Sequence, residues 1–167
     1  MNVTLKFTRK TWYFFLLTAA AISMLNGFAV LAGQSFGLLE NIAFCMTAIA
    51  VLFLAAQKGA PPKEKSGYFG VFLILMVSYV FGGWIGYIAS ALAWPALLSM
   101  EYRRGAPILR KLQLVGLSEA LHLIFVLFTV YGGVAALGFW SNLLWVLLAV
   151  ARGAAALRLY RWQKEEA

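Results

Sequence analysis

Apolar residues in this chain fall in long unbroken runs, not in the alternating or one-faced patterns of soluble strands and helices. The first run goes from about Trp12 to Ala32, and after a turn at Gly33, Gln34 and Ser35 a second goes from about Phe36 to Ala56. Runs of about 17 to 25 residues match the length that crosses a hydrocarbon layer of roughly 30 Å. Lipid offers the backbone no hydrogen bonds, so each run is read as a helix and the two together as a hairpin. The stretch Gln57 to Gly67, with Pro61, Pro62, Lys58, Lys63 and Lys65, is read as the loop that ends it.

From Tyr68 to Met100 the chain is apolar for 33 residues. As one helix this would be roughly 50 Å long, beyond what the usual tilt of about 0 to 40° absorbs. Gly82, Gly83, Trp84, Ile85 and Gly86 offer a break, which leaves two helices of about 16 residues each. Halves that short also leave open a re-entrant hairpin that enters and leaves by one face, and Pro95 is expected to kink the second half. A basic stretch from Glu101 to Lys111 follows, then a fifth run from about Leu112 to Leu137. A turn at Gly138, Phe139 and Trp140 leads to a sixth run from about Ser141 to Leu159 and a polar tail, Tyr160 to Ala167. The expected fold is an all-α polytopic membrane protein with six transmembrane helices as three hairpins, the middle one spanning or re-entrant. Residues 1–167 form a single transmembrane domain in this reading, with no residue-level repeat between the hairpins.

Composition agrees: 63% of the 167 residues are hydrophobic and 12% charged, against about 25% charged in soluble domains. A net charge of +8 is a feature of nucleic-acid binders, but here the cations sit in short clusters between apolar runs, so no nucleic-acid partner is expected. With six crossings, 13 of the 14 Lys and Arg residues fall on one side. Five crossings would divide them six against seven and discard the rule that short cytoplasmic loops are basic. Both termini are therefore expected in the cytoplasm, and the membrane is expected to be a bacterial or archaeal plasma membrane. Trp12, Tyr13, Tyr68, Tyr160 and Trp162 would lie at the cytoplasmic interface, with Trp84 and Trp140 at the far one. The N-terminus has signal-like features, Lys6, Arg9 and Lys10 before an apolar stretch, but is read as the first span.

Ionisable groups inside the runs are the candidates for chemistry. Glu119 and Arg152 both lie roughly 10 to 12 Å from the basic ends of runs five and six. A charge in lipid costs at least about 2.5 to 3.5 kcal/mol, so opposite charges at one depth are expected to pair toward the interior, with His122 on the same helix face as Glu119. In the competing reading, Arg152 snorkels to the interface and Glu119 faces water. Asn26, Glu40 and Asn41 form a second polar group roughly 6 to 10 Å from the far face, as a pocket mouth or as helix glue. Ala19, Ser23 and Gly27 recur every four residues, a spacing for close helix packing.

Glu119-Ala-Leu-His122 has the Glu-x-x-His form of carboxylate di-metal sites, but the chain has one His and no Asp, so no metal is expected. The single cysteine, Cys45, allows no internal disulfide. Gly116-Leu117-Ser118-Glu119 lacks the closing glycine of a serine-hydrolase elbow, and no catalytic residue is assigned. No cofactor is expected. The partners expected are the lipid bilayer, anionic lipid at the basic loops, where each cation is worth about 1 kcal/mol, and other membrane or cytosolic subunits.

The 167 residues hold no phosphate-cradling glycine loop after a strand, so ATP-driven transport would need another subunit. The favoured role is a transport component or membrane subunit of a complex that handles a small molecule. A membrane-embedded enzyme acting on lipid or another hydrophobic substrate and a structural scaffold are the alternatives. In size and six-helix layout the chain loosely resembles the membrane substrate-binding components of energy-coupling-factor vitamin transporters, a likeness of layout with no motif behind it.

Overall fold

A computed structural model describes residues 8–165, with the side chains of the last two of these left aside. It contains six α-helices and, among the described residues, no strand. The helices are α1 (Arg9–Leu31), α2 (Gly37–Ala55), α3 (Pro62–Val80), α4 (Gly83–Arg103), α5 (Leu109–Val130) and α6 (Gly138–Glu165), with a 3-10 turn at Ala135–Leu137 before α6. Five of them are long and apolar enough to cross a membrane. The exception is α3, whose first turns carry Lys63, Glu64 and Lys65. Large apolar side chains cover the outside of the bundle, among them Leu25, Phe28, Leu38, Leu117 and Phe128. In water that surface would be costly; against lipid tails it is the expected exterior. The protein is a helical-bundle membrane protein.

Each helix packs against its neighbours in sequence, and α6 closes the ring by packing along α1. The last contact is the most extensive. A Cβ on Gly27 would lie 2.8 Å from Val146 Cγ2, and one on Gly153 would lie 3.6 Å from Ala20 Cβ. Without a hydrophobic drive between helices in lipid, small residues let backbones come near enough for dispersion to act. Of the small-residue series on α1, Ala19 and Gly27 are buried and Ser23 faces the ring interior.

Three boundaries differ from those the apolar runs suggest. α3 begins at Pro62, five residues before the end of the expected loop, because proline has no amide proton to lose in a first turn and its fixed φ suits it. As a result α3 and α4 have 19 and 21 residues, about 28 and 31 Å of helix, and neither half is short. The fifth run breaks at Gly132 and Gly133, not at Gly138. Gly133 takes a left-handed φ of +67° whereas Gly138 starts α6 with helical dihedrals. The polar tail remains helical to Glu165, since Trp162 at 9% exposure is packed into the core. Pro95 lies inside α4 without ending it.

Between α3 and α4 the link is only Phe81 and Gly82, and the chain reverses so sharply that a Cβ on Gly86 would overlap the Phe81 backbone oxygen. That obstacle cannot rotate away. Gly86→Ala is therefore expected to cost about 1 to 3 kcal/mol, seen as a lower unfolding midpoint of the purified protein, while Gly37→Ala, with open space around it, shifts it far less.

Candidate functional site

Two polar assemblies sit inside the ring. The first was not anticipated from the sequence. Glu101, fully buried near the end of α4, accepts hydrogen bonds from the hydroxyls of Tyr13 (2.7 Å) and Tyr68 (2.6 Å) and from Arg104 Nη1 (2.8 Å). Glu64 on α3 pairs with Arg9 and, at 2.9 Å, with Arg104 Nε. The Arg104 guanidinium also lies 5.7 Å from the Trp162 ring on α6. Burial works against the Arg104 charge, but the Glu101 carboxylate and the two tyrosine oxygens outweigh it and raise its pKa above the ordinary arginine value.

This network joins the starts of α1 and α3 to the ends of α4 and α6, which defines one basic end of the bundle. Tyr13 and Tyr68, expected at the cytoplasmic interface, lie at this basic end with their side chains turned inward: both are 0% exposed, because a buried carboxylate needs donors. Trp84 and Trp140, at the opposite end, are 58% and 54% exposed. A signal was present in the sequence. Arg9 and Tyr13, Glu64 and Tyr68, and Glu101 and Arg104 are each spaced by one helical turn at a helix end.

The second assembly lies deeper. Arg152 on α6 donates from Nε (2.8 Å) and Nη2 (2.5 Å) to one oxygen of Glu119 on α5, Oε1, and its guanidinium lies 5.7 Å from the ring of buried Trp94. The side chains of Glu119 and Arg152 are 3% and 14% exposed. The two positions match in depth because α5 runs away from the basic end and α6 returns to it.

Arg152 forms the floor of a cavity of about 550 Å³ to which all six helices contribute lining. Phe44, Tyr87, Trp94 and Trp145 provide aromatic walls, and Ser23, Thr47, Ser78, Ser90, Thr129, Ser141 and Asn142 provide hydroxyls and an amide. His122, half-buried on α5, is also on the wall. The lining reaches Glu40, Tyr87 and Val130, all exposed at the far ends of their helices. Toward the basic end it stops against a packed core that includes Leu16, Val51, Leu54, Leu97, Leu98, Ala155 and Leu159, each at most 1% exposed. The cavity is therefore open at the far end and closed at the basic one.

Of the polar positions singled out in the sequence, Arg152, His122 and Glu40 share this cavity, and Glu119 stands behind Arg152. Asn26 and Asn41 are not part of the lining. Asn26, 1% exposed, accepts the Phe36 backbone N–H (3.1 Å) and so ties α1 to the start of α2. Asn41 is exposed. Among the described residues no group of three or more His, Cys, Asp or Glu is arranged to hold a metal ion.

Chemically, the cavity can bind. It presents one strong cation with a shielded counter-charge, an acid at the mouth, aromatic faces and scattered hydroxyls, within the roughly 300 to 1,000 Å³ typical of small-molecule sites. No family model, curated protein or solved structure matches this chain.

Proposed function

We propose that this protein crosses the membrane six times with both termini in the cytoplasm, and that it is a transport component binding a small molecule in its central cavity. The carrying observation is that cavity: lined from six helices by apolar, aromatic and polar side chains, open at one end and closed at the other. A structural bundle in lipid would gain dispersion energy by filling such a space, and leaving it empty forfeits those contacts.

The spanning of α3 is supported by its position in the ring. Glu64 at its start meets Arg9 and Arg104, while Tyr79 at its end stacks on Phe44 of α2, 4.7 Å between centroids. A re-entrant reading was attractive only for short helices, and 19 residues reach about 28 Å. The polar first turn of α3 then lies at headgroup level, with Glu64 paired to Arg9 and Arg104. The gathering of Lys and Arg near the network end supports the cytoplasm as the side it faces.

Cysteine labelling tests the topology. After Cys45→Ala, single cysteines at Lys63 and Arg103 are expected to react only with reagent on the cytoplasmic side, and those at Ser35 and Gly133 only from the other. Reaction of positions 63 and 103 from opposite sides would refute the six-span arrangement.

Binding is tested by purifying the protein from its native membrane into nanodiscs and analysing released small molecules by mass spectrometry. A stoichiometric small molecule, lost on Ser90→Trp or Thr129→Trp, is the expected result. A protein that releases only phospholipid, with and without those cavity-filling changes, would refute the binding role. A stoichiometric ATPase in the same preparation would make it a subunit of a powered transporter.

A further inference from the structure

Arginine has two planar edges that can hold a carboxylate: the side edge, Nε with one Nη2 proton, and the end edge, Nη1 with the other Nη2 proton. In Arg152 the hydrogen bonds from Nε and Nη2 both go to Glu119, which takes the side edge with a single oxygen. The end edge has no hydrogen-bond partner among the described residues, and Arg152 lies on the cavity floor. Trp94 beneath the guanidinium and Glu119 beside it fix its plane. An ordered, desolvated fork facing an open space is suited to a second planar oxyanion, in practice a carboxylate.

Charge limits what else that carboxylate can bring. With His122 neutral, the cavity and its immediate backing hold Arg152 against Glu119 and Glu40, a net of one negative charge. A simple anion would add a second in a poorly solvated space and meet the full cost of burying unpaired charge. A simple cation could sit at Glu40 but would leave the Arg152 fork dry and unpaired. A molecule carrying both charges meets both demands, its carboxylate on Arg152 and its cationic nitrogen toward Glu40 at the mouth. Between them Phe44, Tyr87, Trp94 and Trp145 offer aromatic surface to an apolar body.

We infer that the cavity takes a zwitterionic small molecule, a carboxylate and a cationic nitrogen on an aromatic or apolar body, with Arg152 and Glu40 as the two charge anchors. This rests on the binding role proposed above and gives that role a ligand class.

Three probes on one skeleton separate the possibilities: phenylalanine (both charges), 3-phenylpropionate (negative) and phenethylamine (positive). None absorbs at the tryptophan excitation edge, so a change in the protein's tryptophan emission, to which Trp94 and Trp145 contribute from the cavity wall, reports binding in nanodiscs. Phenylalanine is expected to change that emission at concentrations at least tenfold below either analogue. Glu40→Gln is expected to reduce the preference for phenylalanine over 3-phenylpropionate at least tenfold, since removing the mouth charge relieves the anion. Arg152→Lys, which keeps the charge but loses the planar edge, is expected to weaken phenylalanine at least tenfold.

Equal or tighter binding of either singly charged analogue to the unmodified protein overturns the zwitterion assignment, as does an unchanged preference in Glu40→Gln. So does silence from all three probes. If native-membrane protein nevertheless releases a stoichiometric small molecule, only the ligand class has failed; if it releases none, the binding role has failed with it.

Discussion

Replacing Glu101 by leucine is expected to destabilise the protein by about 3 to 5 kcal/mol, read as a fall in the midpoint of thermal or detergent-induced unfolding. The side chain removed is fully buried and is the shared acceptor for Tyr13, Tyr68 and Arg104. Leucine would leave two phenol hydroxyls without their acceptor and would strip Arg104 of its buried carboxylate, leaving it the Tyr13 oxygen and Glu64, which already serves Arg9. Tyr13→Phe or Tyr68→Phe removes a single donor to a charged group and is expected to cost about 1.5 to 3 kcal/mol. The order of the effects carries the argument. Should Glu101→Leu unfold no more easily than Leu117→Ala on the exposed face, the network is not what holds the basic end together.

A carboxylate kept at zero exposure shows where sequence reading falls short. Apolar runs are a direct consequence of lipid as solvent, so the six helices and their order could be read from run length and the breaks between runs. The depth match of Glu119 and Arg152 could be read too, because antiparallel helices convert residue counts into height. Glu101, Glu64 and Arg104 instead read as loop charges in the sequence. What sets Glu101 and Arg104 apart is that Tyr13, Tyr68 and Trp162, from α1, α3 and α6, converge on them, and convergence is a tertiary fact with no local pattern. The same holds for Asn26 and Asn41, which sit near Glu40 in height but not in direction. Asn26 turns to the α2 start and Asn41 lies exposed outside the cavity lining. Height follows from counting, whereas facing depends on how α1 and α2 rotate when α6 closes the ring. The α3 start was missed for a simpler reason: paired prolines mark loops more often than first turns, and Pro62 does the second.

Stability and binding should come apart at the Glu119 and Arg152 pair. Glu119→Ala leaves a guanidinium and Arg152→Ala leaves a carboxylate without its partner, each inside the ring, and each is expected to cost about 3 to 5 kcal/mol. The double alanine variant removes both charges. It is expected to be more stable than either single variant, so that the coupling energy in a double-mutant cycle exceeds the larger single cost, about 3 kcal/mol or more, because no uncompensated charge remains to be solvated. Exchanging the two residues should likewise recover stability over both single variants, and failure of both the double variant and the exchange to do so would mean that the contact is incidental. Binding follows a different rule. In the exchanged protein an arginine stands on α5, behind the present cavity floor, and a glutamate faces the space, so a carboxylate ligand meets an acid. A folded, stable, exchanged protein that no longer binds phenylalanine is the expected outcome. It would separate what Glu119 does, which is to hold the guanidinium in place and bear the cost of its burial, from what Arg152 does with the edge left over.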